Sequence, residues 1–272
     1  MGYAVFFGVL AGAMIAFPGP AAEAARAGLR LWATAVAPVL GPFMACMLMV
    51  TSRLRGGAGW RVFLAWLCGS PGGARLMQTL KPVGAGALRL AAMTGTMSPM
   101  FLLGPVSAWL ADARAGRIIL ACHVLSALAL GLCIPPDRGF HCPPPAPMPL
   151  SQALRDSAQA LLMIALCMML GCVSARMAVC ALPGLPPAVG AALQCILEVT
   201  AGIRALIALQ GPGTVPLVCA ACSFGGLSLL MQNAAFWQES GVTMSRLLLL
   251  RLLHAALAGS LGMILWELLQ EP

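Results

Sequence analysis

The sequence predicts an all-α polytopic membrane protein made of two inverted repeats, each with a spanning helix, a re-entrant hairpin, a broken helix and a closing helix. Three observations carry that prediction. Of the 272 residues, 60% are hydrophobic and 9% charged, whereas a soluble domain carries about 25% charged residues. Uncharged apolar windows near the length that spans a bilayer, about 20 residues, recur along the chain. Residues of the first half also return in the second, in the same order and at a nearly constant offset.

So low a charge, with a mean hydropathy of +0.92, leaves too few polar groups to solvate a surface. Soluble enzymes, nucleic-acid binders, collagen-like chains and disordered chains are excluded on that ground. The basic balance, 16 Lys and Arg against 8 Asp and Glu for a net charge of +8, is read as basic loops facing a cytoplasm and anionic lipid heads. The lipid bilayer is the expected partner and nucleic acid is not. Most of the 11 cysteines, among them Cys46, Cys122, Cys167, Cys172 and Cys195, sit in apolar runs where a thiol behaves as a small hydrophobe. Cys219 and Cys222 form a C-x-x-C with no second pair and no neighbouring His, so no metal and no cofactor is assigned.

Taken in order, residues 1–17 read as an N-terminal transmembrane helix. No Lys or Arg precedes the apolar stretch, which favours an uncleaved helix over a signal peptide, and Phe17-Pro18-Gly19-Pro20 reads as a turn. The first repeat, 18–134, holds a spanning helix at 31–50, a Gly-Arg hairpin at 62–80, a broken segment at 88–110 and a closing helix at 117–134. Residues 135–150 form a Pro-rich linker, because seven prolines between 134 and 150 remove the amide donors that a helix or strand interior needs. The second repeat, 151–272, holds the same elements at 157–175, 188–209, 214–236 and 246–268.

The pairing rests on three landmarks. Arg75 and Arg204 are 129 positions apart, Gly95 and Gly225 are 130, and His123 and His254 are 131. If each hairpin re-enters, each half crosses the bilayer three times, and an odd number inverts the second half relative to the first. Plain spans without a site are the alternative. Arg53, Arg55, Arg61, Lys81, Arg89, Arg138, Arg155 and Arg246 fall on one side of this topology and Arg26, Arg30, Arg114, Arg117 and Arg176 on the other, favouring the first as cytoplasmic.

Inverted repeats place substrate sites near the midplane, where discontinuous helices expose backbone groups to a cavity. Arg75 and Arg204, each after a glycine (Gly73, Gly202) in an apolar hairpin, are expected to hold substrate, since an ionised group at that depth is costly unless it faces a cavity or partner. Snorkelling is the alternative for each. Two guanidinium forks related by a pseudo-two-fold axis suit a small dianion with two acidic groups. Gly95 and Ser98, then Ser223, Gly225 and Ser228, stand where a broken helix restarts and can present amide or hydroxyl donors. Glu198 is expected as the counter-ion of Arg204, an ion-coupling acid or a substrate-binding acid. His123 and His254 are candidates for proton or ion coupling, with a structural role as the alternative. No nucleophile elbow, HExxH, P-loop or dinucleotide fingerprint occurs in a matching context, so an enzyme is not expected.

Several of these residues carry a resemblance. Leu31-Trp32 with Pro38-Val39-Leu40-Gly41-Pro42-Phe43, Gly69-Ser70-Pro71-Gly72-Gly73-Ala74-Arg75, Ser98-Pro99-Met100-Phe101-Leu102-Leu103-Gly104 and His123-Val124-Leu125-Ser126 resemble the sporulation integral membrane proteins of the YlbJ/SpoVV type. In the second half Leu197-Glu198-Val199-Thr200-Ala201-Gly202, Ser223-Phe224-Gly225-Gly226-Leu227-Ser228 and Arg251-Leu252-Leu253-His254 are similar to that pattern in the same order. The resemblance implies a nucleoside-recognition or Gate-type repeat related to concentrative nucleoside transporters. It also implies transport of dipicolinate, a planar dicarboxylate, across the outer forespore membrane of a spore-forming bacterium. The resulting expectation is a dipicolinate transporter, with oligomeric state left open. A nucleoside transporter of the same fold, using Glu198 and Gln194, and a non-transporting spore-envelope assembly protein are the rivals.

Overall fold

A computed structural model of the chain describes residues 2–54, 57–78, 80, 82–135, 146–237 and 240–270. Its described residues form helices and no strand. Five helices are long and apolar enough to cross a membrane: Pro18–Thr51, Ala113–Leu132, Leu150–Ala181, Thr214–Ala234 and Met244–Leu269. The chain is all-α, as its composition predicts.

Helix α1 spans Gly2–Ala16, and α2 follows at once as Pro18–Thr51. The expected turn at Phe17-Pro18-Gly19-Pro20 is instead the first turn of α2. Pro18 lies where a helix has orphan N–H groups, so its missing donor costs nothing and its fixed φ starts the helix. Helix α2 therefore begins well before residue 31, and takes Arg26 and Arg30 out of the expected loop. Its turn at Trp32–Val36 is π-wound, just ahead of Pro38. A proline ring clashes with the carbonyl four residues back, and a widened turn absorbs that clash.

Helices α3, Ala58–Cys68, and α4, Gly72–Gln78, form the first hairpin. The first broken helix is α5, Gly84–Thr94, and α6, residues 99–110, with a second π-wound turn at Leu102–Val106 around Pro105. Helix α7, Ala113–Leu132, closes this half, capped by Asp112, whose carboxylate accepts from the amides of Arg114 and Ala115. Of the expected linker 135–150, residues 136–145 lie outside the described residues, and 146–149 are non-helical.

The second half runs in the same order. Helix α8, Leu150–Ala181, is followed by the hairpin α9, Pro187–Leu197, and α10, Val199–Ala208. The broken pair α11, Thr214–Phe224, and α12, Gly226–Trp237, precedes α13, Met244–Gln270. Like α2, α8 is longer than its uncharged window, because Arg155, Asp156 and Arg176 are helical rather than looped. The principal core joins α2, α6, α7, α8 and the second-half helices through Leu40, Phe101, Ile119, Met168, Ile203 and Val218. Long helices meet where side chains are small: a Cβ on Gly262 of α13 would fall 2.7 Å from Cys219 Sγ of α11, the small-residue packing of membrane helices.

Candidate functional site

Each hairpin tip lies against the break of its own half. In the first, Gly69 has φ +64°, a conformation open to glycine, and a Cβ there would strike the backbone of Ser98. The Ser70 amide donates to Thr96 O at 2.7 Å, and Ser98 Oγ donates to Leu67 O at 3.2 Å. In the second, Gly226 lies so close to the tip that a Cβ would be 3.0 Å from Cys195 O and 3.1 Å from Val199 N. In the first half a backbone group freed by the break is thus met by hairpin backbone, as irregular chain at membrane depth requires, and in the second the hairpin packs closely on the break.

Where these parts meet there is a cavity of about 50 Å³ whose lining includes Ser70, Ser98, Glu198, Thr200, Ser228 and Gln232. Glu198 is 1% exposed and caps α10, its Oε2 accepting from the Ala201 amide at 2.7 Å. Gln232 Oε1 is buried without a hydrogen-bond partner. The next residue, Asn233, accepts at Oδ1 from Ser70 Oγ at 2.8 Å, joining the first hairpin to the second broken helix. Gln232 and Asn233 were not foreseen. Adjacent amides in an otherwise apolar segment were the signal.

Beside it lies a larger cavity of about 670 Å³, between the first hairpin, α2 and α8. Among the described residues, Arg61, Arg75 and Asp156 are its charged lining residues. Arg75 Nη2 donates to Asp156 Oδ2 at 2.8 Å, with side chains 42% and 11% exposed. The turn between α3 and α4 walls both cavities, since Cys68, Pro71 and Gly72 line the larger one and Ser70 the smaller.

Arg204 is not part of either cavity's lining. It is exposed, with its guanidinium 5.7 Å from the centre of the Trp109 ring, a cation–π arrangement. The expected pairing of Arg75 with Arg204 is therefore not what the fold makes; Arg75 shares its cavity with Arg61. Nor is Glu198 the counter-ion of Arg204. Glu198 is buried while Arg204 is exposed, and no ion pair joins them among the described residues. Gly73 and Gly202 lie in their hairpins, but they serve arm-to-arm packing: a Cβ on Gly73 would be 2.6 Å from Ala65 O, and one on Gly202 would strike the Cys195 backbone.

His123 and His254 do come together, with ring centroids 4.8 Å apart and both side chains fully buried. The Met97 amide donates to His123 Nε2 at 2.9 Å, so Nδ1 carries the proton and donates to Ser223 Oγ at 2.8 Å. Arg251 donates to His254 Nδ1 at 3.3 Å, so Nε2 is protonated there and donates to His123 O at 2.8 Å. Each ring is held neutral by a donor aimed at its bare nitrogen, so protonating either would set N–H against N–H. This arrangement fits the structural role that stands as the alternative to proton or ion coupling. Arg251 also donates to the carbonyls of Gly95, Ala91 and Ala92 at the end of α5, beside Gly95, where a Cβ would lie 2.8 Å from Arg251 Nη2. Gly225, φ +79°, ends α11 as a left-handed cap.

No family model matches the chain, and no solved structure matches it. Among curated proteins it is similar to the "Sporulation integral membrane protein YlbJ" of Bacillus subtilis (strain 168), 28% identical over 153 residues. The match takes in 47% of this chain and 38% of that protein. It is a weak homologue, in agreement with the resemblance carried by the motifs. With five helices of spanning length and composition beside it, the conclusion is plain. The chain is an integral membrane protein.

Proposed function

We propose that the protein moves a small organic dianion across a membrane of the sporulating cell, with dipicolinate as the substrate and the outer forespore membrane as the place. The observation that carries this is the larger cavity, where the partly exposed Arg75 presents its guanidinium beside the more buried Asp156. A guanidinium that fronts a cavity can take up a carboxylate through paired hydrogen bonds. The hairpin turn between that cavity and the smaller one is the natural moving part. The relative's name supports a place in sporulation, and the tip-to-break architecture supports transport over envelope assembly.

The test is uptake of labelled dipicolinate by proteoliposomes holding the full chain, with labelled uridine as the comparison. Dipicolinate uptake that exceeds uridine uptake supports the reading, and the reverse overturns it. The nucleoside alternative is favoured by the uncharged polar lining of the smaller cavity, Ser98, Ser228 and Gln232 beside Glu198. Arg75→Gln is expected to lower dipicolinate uptake about tenfold or more, the loss of one charge-assisted hydrogen bond, at unchanged membrane insertion. Arg204→Gln, outside both cavities, is expected to stay within about twofold of the unaltered protein by the same conversion. Equal losses in the two variants would restore the paired-arginine arrangement.

A further inference from the structure

We propose that Asp156 is a built-in competitor for the anion: its carboxylate occupies Arg75 and is exchanged for a substrate carboxylate on binding. The inference rests on the dianion reading above and assigns a role to a residue that the sequence motifs leave out.

Four observations meet here. Arg75 is bound to Asp156 through one nitrogen, Nη2 to Oδ2 at 2.8 Å, whereas a guanidinium can engage a carboxylate through two parallel bonds. The Arg75 side chain is 42% exposed and Asp156 only 11%, so the cation fronts the cavity while the carboxylate sits in its wall. Both residues line the cavity of about 670 Å³ that also holds Arg61. Finally, the ion pair links elements distant in sequence: Arg75 is on α4 of the hairpin, and Asp156 on the long helix α8.

These facts set the exchange. A substrate carboxylate offers Arg75 the same chemistry as Asp156, so binding replaces one ion pair with another and leaves Asp156 as an unpaired carboxylate in the cavity wall. Once Arg75 holds substrate, the hydrogen bond between hairpin and α8 is released, and the turn between the two cavities loses one tether to the scaffold. Asp156 therefore weakens binding while coupling occupancy to the hairpin. Its charge also sets selectivity, because repulsion between a wall carboxylate and a bound anion grows in proportion to the anion's charge.

Asp156→Asn keeps the shape and an acceptor for Arg75 but removes the charge. In the purified full chain, the dissociation constant for dipicolinate is expected to fall about tenfold in this variant. That for pyridine-2-carboxylate, a monoanion, should fall only about threefold, the square root of the first change. A purely structural ion pair predicts the opposite sign, since breaking it disorders the site and weakens both ligands. Should the Asn variant fail to insert, Asp156→Ser removes the same charge with a smaller side chain and carries the same expectation. Phthalate, a second aromatic dicarboxylate, separates the possible failures. If the unaltered protein binds neither dianion, the transport reading and this one both fall. If it binds either and Asp156→Asn leaves that affinity unchanged or lower, only the exchange is overturned.

Discussion

Replacing Gly202 by alanine is expected to cost about 1–3 kcal/mol or more of stability and to disorganise the second hairpin. A Cβ at this position would lie 2.6 Å from Cys195 Sγ and closer still to the Cys195 amide nitrogen and Cα. Those obstacles are largely backbone of the opposing arm, so no rotamer change relieves them and α9 and α10 must separate. The separation is felt at the tip. Glu198 caps α10 through the Ala201 amide, and the same tip receives Gly226 of the second break. Gly190→Ala is the control: it lies in the opposing arm of the same hairpin, α9, where a Cβ meets nothing within 4 Å. There the better helix propensity of alanine should leave stability unchanged or raise it by up to about 1 kcal/mol. Thermal unfolding of the purified protein in detergent compares the two. Equal melting temperatures for the two variants would mean that the hairpin arms do not depend on close backbone approach.

Gly73 and Gly202 show how far the sequence could be read. Both were visible as glycines preceding an arginine at matching places, and both stand where two hairpin arms meet. A glycine needed for close packing and one needed beside a substrate look alike in sequence. The order of long helix, hairpin, broken helix and long helix was also legible, since Gly and Pro punctuate apolar runs that are too long or too short for one span. Helix ends were less so. Arg26, Arg155 and Asp156 read as loop residues when charge marks a boundary, whereas α2 and α8 carry them within helices long enough to pass beyond the uncharged windows.

The two residues with the most specific electrostatic positions escaped the repeat comparison for one reason: neither has a like counterpart. At the 131-residue offset that relates His254 to His123, Arg251 corresponds to Leu120, and at the 129-residue offset of the arginines, Asp156 corresponds to Ala27. A search for matched residues finds what the halves share, such as the two histidines and the glycines of the breaks. It passes over what one half adds to the other. Unmatched charges such as these are where the two halves of the chain differ electrostatically.

Arg251 carries the largest expected loss. It is 3% exposed and, among the described residues, has no acidic partner. Its charge is instead met by the carbonyls of Ala91, Ala92 and Gly95 where α5 stops, of which Ala91 O also accepts from the Gly95 amide. A cation suits the negative end of a half-helix, and a guanidinium fork can serve several carbonyls at once. From there the chain of bonds runs through His254 to His123, and on to the Met97 amide in the first break and Ser223 beside the second. Arg251→Met fills similar space but strands the Ala92 and Gly95 carbonyls and His254 Nδ1, each a buried polar group costing about 1–3 kcal/mol when unpaired. Recovery of the arginine's own desolvation offsets part of that, leaving a net loss of roughly 3–5 kcal/mol, as for other broken buried charge networks. Arg251→Lys keeps the charge but not the fork, and should restore only part of the loss. Thermal unfolding in detergent, with dipicolinate uptake alongside, reads both. A methionine variant that melts with the unaltered protein would show that the two breaks are held by their hairpins alone.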